Sequence, residues 1–424
     1  MKHRYAMILA AAAALLLGSC ELALGPRTEG TIILNLGGGP ASRAFSDAPF
    51  NLLPVFSSVT VTVSGSGMPT ASQTVPGTAA SVTLQVPAGP ARKVEVYAVV
   101  DWASTPQTPQ PTLAKAYGGT VVVDVAGGQK VTVSMDMGVV ETKIVLPDSQ
   151  SGYIYFANSL DDSAVSDYIV SSYGSFYFEY DFFGRLYAMS GQGAFSQYTD
   201  ITEIPLAIGA GSDYPSAYSK RYQAIFQAAD TEVLFIDLAT DPATQSMLTI
   251  PISFSNMSAI AVDANGFFYI AGFVGAMDNY IVAKFALDIP NNFAVSTIVS
   301  KTYTELGLSG SGLLSISDMT VQDGFLYIVA GESVDPDSRG KLVQVELSNL
   351  SKIRDIGWSD SLPITSPTTQ FYGPVRFLAI APKKLIIADE SGDIDRVIEI
   401  DLDEWEFSRI GLEDVVTFFS SYAY

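Results

Sequence analysis

The side chains that most often carry chemistry are nearly missing from this chain of 424 residues. Its single histidine is His3 and its single cysteine is Cys20, both close to the start. The long remainder therefore holds no imidazole and no thiol. That excludes Ser-His-Asp and Cys-His nucleophile systems, histidine general bases, and histidine-ligated zinc, copper or non-haem iron. No Walker-type loop occurs, and Gly37-Gly38-Gly39-Pro40 lacks the following helix that a phosphate cradle requires. What remains is oxygen chemistry: glycosidic cleavage by two carboxyl groups, or Ca2+ held by closely spaced oxygens.

Three acidic stretches have the residue types for it. Asp389-Glu390-Ser391-Gly392-Asp393-Ile394-Asp395 sets several oxygens close together, without the full ligand order of a calcium loop. Glu332-Ser333-Val334-Asp335-Pro336-Asp337 and Asp278-Asn279 follow comparable apolar runs. Asp, Gly and Pro are also what tight turns select, so these acids have an ordinary reading as turn residues, as do Asp161, Asp162 and Asp167. On one shared face, Asp278, Asp335, Asp337, Asp389 and Asp393 form an acidic rim for a cation or a basic partner. The aromatic groups Tyr153-Tyr155, Phe176 to Tyr180, Phe267-Phe268-Tyr269, Phe371-Tyr372 and Phe418-Phe419 suggest sugar stacking. Alternation along strands sends about half of any such set into a core, however. Tyr372 and Trp358, near strand ends, are the candidates for ligand stacking. No catalytic residue, no metal ligand and no resident cofactor is assigned, with Ca2+ the one ion the acids could serve.

The first twenty residues have a different use. Met1-Lys2-His3-Arg4 is a basic head, and Ala6 to Leu17 is an apolar run too short for the roughly 30 Å of a bilayer core. This is the pattern of a secretion signal. The segment Leu17-Gly18-Ser19-Cys20 resembles the lipobox of bacterial lipoproteins. That resemblance implies cleavage before Cys20, a lipid on its sulfur, and a location in the cell envelope, periplasmic or surface-exposed. With one cysteine there is no intramolecular disulfide for it to serve.

Formal net charge is −21, and loss of residues 1–19 removes Lys2 and Arg4 but no acid. Such a surface repels phosphate backbones, so nucleic acid is excluded as a partner. Charged residues are only 16% of the chain, which argues against a disordered acidic tail.

Those residues must be positioned by strands. Residues 20–29, with Gly25-Pro26, read as a lipidated tether. Apolar alternations then run from Thr31 to Leu36, Ser58 to Ser64, Ser81 to Val86, Lys93 to Val100, Gly119 to Val125, Lys130 to Met137 and Glu141 to Leu146. Val59-Thr60-Val61-Thr62-Val63 has the period of two that sends one set of side chains inward and the other to water. Seven such strands over residues 30–147 predict a β-sandwich. The run Val82-Thr83-Leu84-Gln85-Val86-Pro87-Ala88-Gly89, followed by another strand, is similar to prealbumin-like and carboxypeptidase-regulatory-like sandwich modules.

Beyond Pro147 the chain repeats itself. Met257 to Gly272, Ile316 to Gly331 and Val375 to Asp389 align, with first strands ending at Val262, Val321 and Ile380, each 59 residues apart. In each copy a tight turn leads to a second apolar strand, and a third follows at Ile281 to Leu287, Leu342 to Leu347 and Val397 to Leu402. Repeated meanders of this length predict a β-propeller over residues 148–424. Ala261-Val262-Asp263-Ala264-Asn265-Gly266-Phe267-Phe268-Tyr269-Ile270 resembles the blade core of NHL-type or YncE-like propellers, although the other copies lack the Asn-Gly turn. Five blades read near residues 173–210, 213–252, 255–303, 312–360 and 371–412. A sixth is expected from Gly152 to Ser171 closed by Val415 to Tyr424.

The fold expected is therefore all-β, an N-terminal sandwich followed by a propeller of about six blades. Its expected role is an envelope-anchored recognition or scaffold module binding a protein or glycan on the propeller face, without catalysis. The alternative is a hydrolase or lyase that uses carboxylates in the propeller channel, whose sign is inward acids with raised pKa. A structural member of a membrane assembly is a third class, whose sign is a large exposed apolar patch.

Overall fold

A computed structural model describes residues 28–36, 55–101, 114–135, 137–148 and, beyond them, chiefly the strands and short turns between residues 153 and 412. Every described regular element is a strand. Two compact units are formed by residues 1–106 with 116–138, and by residues 107–115 with 139–424.

The first eight strands are β1 (Glu29–Asn35), β2 (Phe56–Ser64), β3 (Ala71–Pro76), β4 (Ser81–Pro87), β5 (Gly89–Val100), β6 (Ala114–Val125), β7 (Lys130–Val133) and β8 (Gly138–Thr142), the last of which belongs to the second unit from Val139 on. They make two sheets, ordered β4-β1-β7 and β3-β2-β5-β6-β8. β1 pairs antiparallel with β4 and parallel with β7. Alternation does what the sequence implies. Val59, Val61 and Val63 are buried, as are Val82, Leu84 and Val86, each such side chain contributing about 1.5–3 kcal/mol. Thr60 and Thr62 face the other way and share hydrogen bonds of 2.8 and 3.1 Å with Thr74 and Ser72 of β3. The Pro87-Ala88-Gly89 turn is pinned by Arg92, whose buried guanidinium donates to the carbonyls of Pro87, Ser66 and Ala88. Three backbone dipoles thus hold this cation.

The stretch Glu141 to Leu146, expected as one sandwich strand, is divided in the structure. β8 ends at Thr142, and β9 (Ile144–Asp148) pairs with β10 (Tyr153–Ala157) instead. β10 in turn pairs with β11 (Asp167–Val170), giving a three-stranded sheet.

Five four-stranded meanders follow. They are β12 (Phe178–Tyr180) to β15 (Asp200–Pro205) through β13 (Leu186–Met189) and β14 (Ala194–Gln197), then β16 (Ser216–Ser219), β17 (Ala224–Ala229), β18 (Glu232–Asp237) and β19 (Thr244–Leu248). Next come β20 (Phe254–Val262), β21 (Phe268–Val274), β22 (Tyr280–Asp288) and β23 (Ala294–Thr302). The fourth is β24 (Ser315–Gln322), β25 (Phe325–Glu332), β26 (Arg339–Glu346) and β27 (Lys352–Gly357). The last is β28 (Pro374–Ala381), β29 (Lys384–Ser391), β30 (Ile394–Asp401) and β31 (Glu406–Gly411). Within each sheet, sequence order is spatial order.

First strands of neighbouring sheets pack side by side, β12 on β16, β16 on β20, β20 on β24, β24 on β28, and β28 on β9. This is propeller architecture, with first strands innermost and fourth strands at the rim. Apolar layers fill the spaces between blades. Phe226, Phe235, Phe254, Phe268 and Phe285 lie between the β16–β19 and β20–β23 sheets. Tyr269, Leu306, Ile328 and Val343 fill the next space, and Val329, Leu342, Ile387 and Ile398 the one after. The return contact is made by Ile144, Leu146, Leu160, Leu378 and Leu412, with Ile380 N–H donating to Thr142 Oγ1 at 3.1 Å. The sheet expected to pair with Val415 to Tyr424 thus takes β9 as its first strand, and Val415 to Tyr424 lie outside the described residues.

Candidate functional site

A four-stranded meander has two unlike ends. Turns after its first and third strands lie at one end, and connectors after its second and fourth strands lie at the other. At the turn end the links are short, such as residues 263–267, 323–324, 382–383 and 402–405. At the loop end they include 303–314, 333–338 and 358–373. The candidates Asp278, Asp335, Asp337, Asp393, Tyr372 and Trp358 all belong to loop-end connectors by this topology, and all lie outside the described residues.

The remaining candidate, Asp389, is described, and it departs from the expected rim. It sits on β29, fully buried, opposite Arg396 of β30. Arg396 Nη2 and Nε donate to its Oδ2 at 2.7 and 2.8 Å, and Arg396 is itself 2% exposed. Its carboxylate is spent on a buried ion pair, so it is not offered to a ligand. Sequence reading placed it in a turn because Glu390-Ser391-Gly392 follows, but β29 extends through Ser391.

Several polar and charged side chains of the propeller instead bridge neighbouring blades. Tyr222 O–H, Lys284 Nζ and Arg354 Nη2 donate to the carbonyls of Leu287, Leu347 and Leu402 at 3.2, 2.9 and 2.9 Å. Those three carbonyls stand at the same place, the turn end of the third strand, and each donor comes from the preceding blade. Gln322 reaches Ala381 and Lys384 carbonyls in the same manner. Arg354 also donates to Gln344 Oε1, lies 4.2 Å from the Trp405 ring centroid, and Gln344 passes the network on to Tyr327 O–H. Burial pushes the Tyr327 hydroxyl up to about 12. Tyr269 is raised further by burial and by its bond to Asp263, which also accepts from the Asn265 and Phe267 amides.

Phe267-Phe268-Tyr269, one of the aromatic groups considered for sugar stacking, is a core element. Phe268 and Tyr269 are fully buried, and Phe268 stacks on Phe285 at 5.2 Å.

Asp318, on the innermost strand β24, is the acid that sequence reading passed over. Its Oδ2 accepts from Phe377 N–H of β28 at 3.0 Å and its Oδ1 from Met319 N–H at 2.8 Å. Burial raises its pKa to about 6, against the lowering effects of Arg376 and the two amides. The repeat carried a signal for it. Ala259 and Phe377 occupy the aligned positions, so a carboxyl stands where its sister copies are apolar. Among the described side chains of innermost strands, Asp318 is the one carboxylate, and no group of His, Cys, Asp or Glu among the described residues has metal-site geometry.

At the loop end, residues 302–308 form a capped turn. Thr302 and Glu305 satisfy each other's amides, and Tyr303, Leu306 and Leu308 fill the space between blades. The Thr302 amide, with Lys301 and the Thr302 hydroxyl, holds Glu305 down at about 2. Next to Tyr372, Phe371 bridges to Gly340 and is buried against Phe407.

No protein-family model matches the chain, and no curated protein matches it. Among solved structures it is similar to hydrazine synthase of Kuenenia stuttgartiensis, with 10% identity and TM-score 0.41 over 61% of this chain and 76% of that one. It is also similar to U3-55K, with 11% identity and TM-score 0.38 over 70% and 84%, and to the Dos1 propeller, with 12% and 0.35 over 63% of each. Such likenesses say nothing of activity, and the propeller architecture rests on the strand order and packing above.

Proposed function

We propose that this chain is an exported lipoprotein, held to a membrane by lipid on Cys20, whose propeller serves as a recognition or scaffold module. It engages a protein or glycan through the loop end of its blades. The observation that supports this most is the charge of that end. In the five four-stranded sheets, loop-end connectors carry Asp213, Asp230, Asp278, Glu305, Asp335, Asp337, Asp360 and Asp393, and no lysine or arginine. Turn-end links mix Asp181, Asp241, Asp263, Asp323, Asp403 and Glu404 with Arg185, Lys220, Arg221 and Lys383. Long connectors on a rigid scaffold are where binding residues concentrate, and a one-sign end steers a partner bearing basic groups.

The anchor is tested by labelled fatty acid, expected in the wild type and lost in Cys20→Ser. For recognition, a photo-cross-linking residue is placed at Ser338 of the loop end or Ser348 of the turn end, in the membrane-bound protein. Adducts from position 338 alone support the reading, and equal adducts or none from either position overturn it. Catalysis by carboxylates is the second reading, favoured by the raised pKa of Asp318. Two-acid glycosidic chemistry needs a partner carboxyl within about 5–10 Å, whereas the charged group acting on Asp318 is Arg376.

A further inference from the structure

At the loop end of the β20–β23 sheet, one row of side chains crosses all four strands. Asn256 of β20 is paired with Phe273 of β21, Phe273 with Tyr280 of β22, and Tyr303, just past β23, donates its N–H to the Tyr280 carbonyl at 3.2 Å. Phe273 and Tyr280 lie two residues from Ala271 and Val282, so they share the face that packs toward the β24–β27 sheet. Exposure along the row rises toward the propeller axis. Tyr303 is buried, Tyr280 and Phe273 are half-buried, and Asn256, on the innermost strand, is exposed. Tyr280 stacks on Tyr303 with ring centroids 4.5 Å apart, and Phe273 lies against Tyr280. The outer rings are thus held in place from behind.

The placement of Asn256 is specific. Register shifts at Ser255 and Ser258 bracket it, and bulges of this kind re-aim a side chain. Gly272 permits the close approach, since a Cβ there would fall 2.2 Å from the Asn256 carbonyl oxygen. The sister sheets fill the paired position of Phe273 and Tyr280 differently, with Glu332 opposite Arg339 and Glu390 opposite Asp395. The repeat itself therefore does not demand rings there. Described charged groups at the loop end of this face are turned to one another: Lys301 to Glu305 at 2.9 Å, and Lys341 and Lys352 both to Asp355 at 3.0 Å. What a ligand meets is two ring faces and an amide, while the acids of the connectors repel anionic sugars. An uncharged pyranose has the matching chemistry, an apolar C–H face and a rim of hydroxyls.

We propose that Asn256, Phe273 and Tyr280 form a platform for an uncharged glycan, an assignment that rests on recognition by the loop end and names its ligand class. A sugar ring lies with its C–H face on Phe273 and Tyr280, and the Asn256 amide donates to one hydroxyl and accepts from the next.

Calorimetric titration of the solubilised full chain with tetrasaccharides of glucose, of N-acetylglucosamine and of galacturonate, and with tetra-arginine, tests this. At least one of the two neutral sugars is expected to bind, with an affinity that salt leaves unchanged. Phe273→Leu keeps an apolar side chain without a ring face and is expected to weaken binding about tenfold. Asn256→Ala, at an exposed position, is expected to weaken it about fivefold with the melting midpoint unchanged. Absence of binding by both neutral sugars, binding that both variants leave intact, or binding of galacturonate or tetra-arginine alone overturns the proposal. If the glycan fails while position 338 still gives cross-linked adducts, loop-end recognition stands without it, and failure of both assays removes that reading as well.

Discussion

The two ends of the propeller blades solve different problems with the same strands. At the turn end, links are short and polar side chains are consumed by the neighbouring blade: Tyr222, Lys284, Gln322 and Arg354 all bind backbone carbonyls across a seam. At the loop end the connectors include the longest ones and carry acids without bases, and among their described residues Tyr303, Leu306 and Phe371 are buried. A ring of meanders can thus be stapled at one end and free to vary at the other. Under the proposed recognition role, specificity would be carried by that second face.

The comparison breaks first if the loop end proves to be held by more than its anchors. Asp389→Ala, which strands the buried Arg396 near that end, is expected to cost about 3–5 kcal/mol in urea unfolding, and adding Arg396→Met should recover much of it. Single changes at Asp335 or Asp337 should stay within about 0.5 kcal/mol in the same assay. At the turn end, Arg354→Met abandons the Leu402 carbonyl and Gln344, with an expected loss of about 2–3 kcal/mol.

Asp318 sharpens the view of the innermost seam through pH. Its folded pKa, about 6, lies above the ordinary carboxylate value, so the native state holds the proton more tightly than the unfolded chain. Its stabilising contribution is full below about pH 4 and is lost as pH rises through 6. Asp318→Asn keeps an acceptor for Phe377 N–H and never ionises. It should match wild type near pH 4 and exceed it by about 3 kcal/mol at pH 8, read as melting midpoints across that range. A variant that gains nothing at pH 8 would show that Arg376 already compensates the charge.

The turns themselves carry modest effects. Gly324 has φ of +83° with open space around it, so Gly324→Ala should cost about 1 kcal/mol from backbone conformation alone. Lys383 occupies the corresponding turn with φ of +56°, and Lys383→Gly is expected to raise the melting midpoint slightly despite losing the exposed pair with Asp403.

Much of the fold was legible because its signals are local. Val59, Val61 and Val63 alternate, and first strands ending near Val262, Val321 and Ile380 recur at a fixed interval, so strand faces and repeat register could be read directly. β3 escaped notice because Ala71-Ser72-Gln73-Thr74-Val75-Pro76 is an exposed edge whose pattern comes from its partner β2. β9 was assigned to the wrong unit for a related reason. Ile144-Val145-Leu146 announces burial but not which sheet buries it.

The acids show the same limit. An Asp in a Gly- and Ser-rich stretch looks alike whether a turn exposes it or a longer strand buries it, and only the cross-strand Arg396 distinguishes the two for Asp389. Composition and order alone determined the all-β class, the repeat, the absence of imidazole and thiol beyond Cys20, and the base-free character of the loop-end connectors once strands were counted. Tertiary structure decided which carboxylates are spent: Asp389 on a buried arginine, Asp318 on a seam, Asp263 on a tyrosine. Those partners lie in other strands or other blades, and a charge's fate depends on what folding brings within about 3 Å of it.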